Sequence, residues 1–413
     1  MANPPAVVEI EEEVTEPNKD SRQVVLLLDD DPIVTEGLAV GMEQPGRTIV
    51  TCNDLESAQL AVDWIKPTHI VADVRLSGPF GFEGLDFIRY AKQHSPESRI
   101  IIMTGDATFA LKIEALQRGA AAFLQKPFGG RRLEAVIDMM GARCSNLTPP
   151  LLIRIPLLDE IIEDHLYSVF QPIVTLGDSP QTFGYEALAR CQNLSFFQNP
   201  THLFEYAGRK QRICDLELAC ITRSIASAAP LLTNDEILFL NIHPLVFTEG
   251  TRLFDLLRII DPTTLPKLVL EITEQSTLVD TPAVFDQIEK IRALGVRFAF
   301  DDFGVAYSHL SFIDRVRPSF LKISQNFGTR FETNSTMVKI ITNIVSIGRD
   351  FGCDLVLEGI EDASTALAAR DLGIRYGQGY LFGRPAEAPG LSNRHGQGYF
   401  FGRPADPPTL SNA

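Results

Sequence analysis

Several polar side chains stand at or just past the ends of short apolar runs in the C-terminal part of the chain. They are Glu186 in YEALAR, Asn241 in FLNI, Glu271 in LEIT, Asp301 and Asp302 in FAFDD, Lys322 in LKIS, Glu358 in LVLEG and Gln378 in GQGY. If they share one pocket, the carboxylates cannot all stay ionised side by side without cations. Oxygen ligands of this kind select Mg²⁺, Mn²⁺ or Ca²⁺ over zinc. Two such ions about 3.5–4 Å apart can clamp the attacking and leaving oxygens of a phosphodiester. Asp301 is placed to bridge the pair, and Lys322 or Glu358 to help deprotonate a water that the ions polarise. Taken singly, each residue reads better as an exposed strand or turn residue; the set carries the signal.

A second set lies near the N-terminus. Asp29 and Asp30 follow VVLLL, Asp73 closes HIVAD, Thr104 follows RIIIM, and Lys126-Pro127 follow AAFLQ. Carboxylates from neighbouring strand ends form an oxygen cage suited to one Mg²⁺. That ion would screen the approach of a phosphoryl group to Asp73, the nucleophile of an acyl phosphate. Lys126 adds a cation and Thr104 a hydroxyl for the new group. Asp29-Asp30 alone fits a turn about equally well, since Asp often starts turns.

Such residues need elements to hold them. Short apolar runs separated by helix-length stretches predict parallel sheets with helices on their faces. Residues 22–142 read as one doubly wound α/β unit, with sites at the carboxyl edge of its strands. The polar, proline-ended stretch that follows reads as a linker over 143–156. Residues 157–393 carry eight strand-like runs beginning at SVFQPIV, FGYEAL, ILFLNI, LVLEIT, RFAFDD, FLKIS, DLVLEG and GQGYLF. That number predicts a (β/α)₈-type barrel, with an open doubly wound sheet as the alternative.

The flanks differ from both units. Residues 1–21 are acidic and proline-bearing, and are expected to be disordered. Residues 394–413 repeat the preceding segment: RYGQGYLFGRPAEAPGLSN is followed at once by RHGQGYFFGRPADPPTLSN. The first copy continues the barrel pattern and is expected to occupy the native place. Two copies cannot build a solenoid.

Bulk properties narrow the function. A net charge of -16 argues against a nucleic-acid polymer as partner. The six cysteines, at 52, 144, 191, 214, 220 and 353, include no CxxC pair, so reduced, buried thiols are expected. The acidic start is unlike a signal peptide, and no apolar run reaches membrane-spanning length. The expectation is a cytoplasmic protein with no membrane association.

Two resemblances sharpen this reading. Residues 22–142 resemble the receiver domain of two-component response regulators, a flavodoxin-like fold. The resemblance implies Asp73 as phosphorylation site, Asp29 and Asp30 with one Mg²⁺, Thr104 and Phe123 as switch residues, and a cognate sensor histidine kinase as partner. Residues 157–393 resemble the EAL family of cyclic di-GMP phosphodiesterases through EAL (186–188), LEITE (270–274), DDFG (301–304), LEGIED (357–362) and QGYLFGRP (378–385). That resemblance implies hydrolysis of cyclic di-GMP to pGpG with two Mg²⁺ or Mn²⁺ ions. It assigns metal binding to Glu186, Asn241, Glu271, Asp301 and Asp302, and catalysis to Lys322 and Glu358. It assigns substrate contacts to Gln171, Arg190 and Gln378, and a loop anchor to Glu274. It also implies a homodimer or higher oligomer.

The sequence departs from the EAL pattern at two places. Ser324 stands where the family has Asp after Lys-Ile, and strand alternation puts it on the side of Lys322. Val305-Ala306 replaces the usual Thr-Gly. Both leave room for a second function, a receiver-gated module that binds cyclic di-GMP and cleaves it slowly or not at all. A receiver-driven scaffold without nucleotide is a third. His243 is expected to pack locally, and Arg384-Pro385 to close the barrel.

Overall fold

The structure is a computed structural model and describes residues 23–76, 83–105, 109–140, 151–192, 194–232, 235–273, 281–304, 310–328 and 331–387. Glu274, Val305-Ala306, Cys144, the acidic start and the second C-terminal copy lie outside them. The chain divides into two compact units, one ending at Leu157 and the next starting at Leu158.

The first unit is a parallel sheet of β1 (Gln23–Leu28), β2 (Arg47–Cys52), β3 (His69–Asp73), β4 (Arg99–Thr104), β5 (Ala122–Gln125) and β6 (Leu151–Arg154). Their order across the sheet is β5-β4-β3-β1-β2-β6. This is the flavodoxin-like arrangement with one strand added. β1 and β3 are almost wholly buried, as expected where helices cover both faces of a sheet. Helices connect them, two of which are capped by their preceding aspartates. Asp31 accepts from Ile33 N at 2.9 Å and Asp54 from Ser57 N at 2.8 Å.

β6 falls within the stretch expected as linker. It pairs in parallel with β2 from Thr48↔Leu151 to Thr51↔Arg154, and Ile155 N extends the ladder to Thr51 O at 3.0 Å. Its side chains are mostly exposed, so backbone pairing rather than burial holds it.

The second unit is a closed barrel. All eight runs form strands: β7 (Leu166–Thr175), β8 (Thr182–Cys191), β9 (Ile237–Ile242), β10 (Leu268–Thr273), β11 (Arg297–Phe303), β12 (Phe320–Ile323), β13 (Asp354–Leu357) and β14 (Tyr376–Gln378). Each pairs with the next, and β14 pairs with β7, which excludes the open sheet. β8 through β14 are parallel, whereas β7 is antiparallel to both neighbours. The short turn 176–181 explains this, because it leaves no length for the crossover a parallel pair needs.

Alternation along the strands fills the barrel in layers. Ile173, Phe239, Val269, Ala299, Phe320, Val356 and Tyr376 form one apolar layer inside it, with Phe183 packed alongside. Two residues further toward the carboxyl end of the parallel strands, the same face presents Asn241, Glu271, Asp301, Lys322, Glu358 and Gln378. On antiparallel β7 the step runs backward, from Ile173 to Gln171. The apolar layer is therefore the floor of the polar one. No helix among the described residues is long and apolar enough to cross a membrane.

Candidate functional site

Lys322 stands at the centre of the polar layer and is wholly buried. Its Nζ lies 2.8 Å from Glu358 Oε1, 3.0 Å from Glu186 Oε2, 3.0 Å from Glu271 Oε1 and 3.6 Å from Asp301 Oδ1. Strand register supports this convergence, since Glu271 sits beside Asn241 and Gln171 beside Glu186. Glu186 is bound further by Asn241 Nδ2 at 2.8 Å and Gln378 Nε2 at 2.7 Å. Gln378 Nε2 also donates to Gln171 Oε1 at 3.1 Å, and Gln171 Nε2 to the Gly383 carbonyl at 3.2 Å.

Asp301 and Asp302 are neighbours in a strand, so simple alternation would point them to opposite faces. β11 breaks its register between Phe300 and Phe303, and Asp302 adopts a left-handed backbone with φ 55°. This bulge brings both aspartates to the same cavity, as bulges beside active sites do. That cavity, of about 350 Å³, is also lined by Gln171, Glu186, Glu358 and Gln378.

One buried ammonium does not balance this many carboxylates. Burial drives Glu271 well above the usual carboxylate range, opposed by Lys322 and reinforced by Glu186 and Asp301. Burial also raises Asp301, and pushes Glu358 up to about 8. Burial acts on Glu186 in the same direction, but Lys322, Gln378 and Asn241 together outweigh it and hold that carboxyl low. Lys322 itself is displaced upward, its burial overcome by the surrounding carboxylates. Glu271 Oε2 is buried without a hydrogen-bond partner, and Glu271 Oε1 and Asp301 Oδ1 share the single Lys322 ammonium, at 3.0 and 3.6 Å, with the other carboxylates. Such atoms are costly unless a cation reaches them. The all-oxygen donor set, with more carboxylates than one ammonium can balance, therefore fits hard divalent ions.

Arg190 is half-buried, with Nη1 donating to the Ala189 carbonyl at 2.8 Å. It lines an adjoining cavity of about 280 Å³, together with Asn241, Leu188 and Glu217. Ser324 is wholly buried, but β12 ends one residue before it, so strand alternation does not reach it. Its hydroxyl accepts from Asn326 N at 3.5 Å.

Four residues escaped the sequence reading. Glu361, Gln325 and Tyr380 line the main cavity. Glu361 and Tyr380 lie inside LEGIED and QGYLFGRP, so the motifs had already marked them. Glu217 is a buried carboxyl on the helix Ile213–Ala228, accepting from His243 N at 3.0 Å. Nothing in CDLELACI distinguishes it from an exposed helix residue. His243 itself accepts from Leu245 N at 3.2 Å, capping a short turn.

In the first unit, Lys126 Nζ bridges Asp29 Oδ2 at 2.5 Å and Asp73 Oδ2 at 2.7 Å. Ligand atoms of Asp29, Asp30 and Asp73 all lie within 4.8 Å of one another. Burial raises Asp29 despite the nearby ammonium. Thr104 is buried at the end of β4 and joined through its carbonyl to Lys126 N at 2.8 Å, while Phe123 is half-buried on β5.

The described cysteines are free and buried.

Comparison with known proteins agrees with both units. The response regulator receiver domain model matches residues 25–138, and the EAL domain model residues 156–385. Cyclic di-GMP phosphodiesterase RocR of Pseudomonas aeruginosa is 25% identical over 379 residues, covering 87% of this chain and 95% of its own. The bifunctional diguanylate cyclase/cyclic di-GMP phosphodiesterase MucR of the same species is 36% identical over 121 residues, 29% of this chain and 18% of its own. The solved PaMucR phosphodiesterase in complex with c-di-GMP superposes with a TM-score of 0.51 at 27% identity, covering 56% of this chain and 96% of that one. With its fold, its polar layer and these matches in agreement, the chain belongs to the EAL domain family and carries a response regulator receiver domain ahead of the EAL barrel.

Proposed function

We propose that this chain hydrolyses cyclic di-GMP to pGpG at the barrel mouth, and that phosphorylation of Asp73 controls the rate. The observation that carries the reading is Lys322 ringed by Glu186, Glu271, Asp301 and Glu358, with buried carboxylate oxygens left for cations. Glu186, Asn241, Glu271, Asp301 and Asp302 would hold two Mg²⁺ or Mn²⁺ ions, which supply Lewis-acid polarisation of a phosphodiester when bound. Lys322 keeps the carboxylates together and offers positive charge where negative charge builds up in the reaction. Glu358, with its proton affinity near neutrality, exchanges a proton with the attacking water. Gln171, Gln378 and Arg190 orient the dinucleotide, and Glu274 anchors the loop after Asp302.

In the receiver, Asp73 accepts the phosphoryl group from a sensor histidine kinase, with one Mg²⁺ at Asp29 and Asp30. Lys126, Thr104 and Phe123 respond to it. The active form is a homodimer or higher oligomer, and the protein works in the cytoplasm.

The test is incubation of the purified chain with cyclic di-GMP and Mg²⁺ or Mn²⁺, with chromatography for pGpG. Product that disappears with chelator supports the reading. Tight binding without product favours the second reading, a receiver-gated binding module, for which Ser324 in place of a carboxylate speaks. Neither binding nor product counts against both.

A further inference from the structure

The segment that closes the barrel is present twice in the chain. Residues 375–393 and 394–412 are identical at 14 of 19 positions. The described part of the first copy, residues 375–387, supplies the strand between β13 and β7. Its demands on sequence there are narrow. A Cβ at Gly379 would run into the Ile360 carbonyl, and one at Gly377 would lie 2.7 Å from Ile360 Cδ1. Gln378 must reach Glu186, and Phe382 must fill the core.

We propose that residues 394–412 can replace 375–393 in the barrel, which would put Gln397 where Gln378 stands. The second copy keeps every residue with such a demand: Gly396, Gln397, Gly398 and Phe401. The exchange would loop out the intervening residues between Ile374 and Arg394. The entropy of such a loop grows only logarithmically with its length.

One substitution decides which copy is resident. Tyr376 is buried and stacks on Phe183 with ring centroids 3.9 Å apart, close to Phe320 at 6.2 Å. The second copy has His395 at the matching position. An imidazole among phenyl rings loses its hydration without gaining a partner. The first copy therefore holds the site, and the second takes it when the first is damaged.

Gly379→Val supplies that damage, in the full chain and in a chain ending at Asn393. The full chain is expected to keep the barrel's own cooperative thermal transition and the shorter one to lose it, while the receiver unit melts in both. Hydrogen exchange in the full-length variant should slow at amides 395–401 by at least about tenfold relative to the unsubstituted chain, and quicken at 376–382. Loss of the barrel transition in both chains, or unchanged exchange at 395–401, would overturn the proposal. The exchange readout decides the matter even where both chains keep the barrel transition. Neither measurement depends on whether the barrel cleaves a nucleotide.

Discussion

Lys322 Nζ stands 3.0 Å from Glu271 Oε1, and both side chains are sealed from solvent. Breaking a buried pair by removing one partner typically costs about 3–5 kcal/mol, because a charge is left unpaired. Lys322→Met should therefore lower the melting temperature in chelator, and Mn²⁺ should restore part of the loss. Turnover of cyclic di-GMP should fall by about 10²-fold or more. Melting curves that respond neither to the substitution nor to the ion would contradict the role given to this lysine.

Ion binding should release protons. Burial pushes Glu358 up to about 8 and raises Glu271 and Asp301, so a cation must displace protons from the pocket at lower pH. Apparent Mn²⁺ affinity should rise with pH through the neutral range, as the raised carboxyls give up their protons. Calorimetry in two buffers of different ionisation enthalpy should show the released protons. A pH-independent affinity would argue that the carboxylates are already ionised.

Ser324→Asp restores the carboxylate that the EAL pattern carries. The position is wholly buried, so the new charge needs a cation nearby. The variant should be less stable in chelator, recover with Mn²⁺, and turn over cyclic di-GMP faster than the parent. Unchanged turnover together with unchanged ion affinity would mean that Ser324 is not what limits the site.

Glu217 should make stability depend on pH. Burial raises its carboxyl to about 8, against an ordinary value of 4.5. Below about 4.5 the group is protonated in both folded and unfolded chains, and its contribution is complete. Between these values the unfolded chain ionises first, so stability falls as pH rises, by up to about 1.4 kcal/mol per pH unit. Above about 8 the effect levels off. Glu217→Gln keeps an acceptor for His243 N and should flatten this slope in denaturant titrations. An equally steep slope in the variant would assign the effect to other groups.

Acyl phosphate formation should require Asp73. Incubation with acetyl phosphate and Mg²⁺ should add one phosphoryl group by intact mass, and Asp73→Asn should abolish it. Lys126→Ala removes the ammonium between Asp29 and Asp73, and should weaken the response rather than relocate it. An undiminished mass shift in Asp73→Asn would move the acceptor elsewhere.

Much of this site was legible in the sequence because strand alternation is strict. Once Phe239, Val269, Phe320 and Val356 point inward, the residues two steps on must converge, whatever loops intervene. Alternation stops being a guide where the geometry is no longer periodic. The bulge at Phe300–Phe303 admits both aspartates, and no residue-by-residue pattern announces it. The direction of β7 depends on the length of one turn rather than on its own composition. Ser324 lies just beyond a strand end, where alternation no longer says which way a side chain faces. Glu217 shows the same limit in a helix, since one carboxyl on a covered face looks like any other charged residue.

The sixth strand bears on how the receiver could be studied alone. A fragment ending at residue 142 would strip β6 from the sheet and bare the outer backbone of β2, a row of unmet amides and carbonyls that invites self-association. The fragment worth expressing runs on to Leu157, where the first compact unit ends.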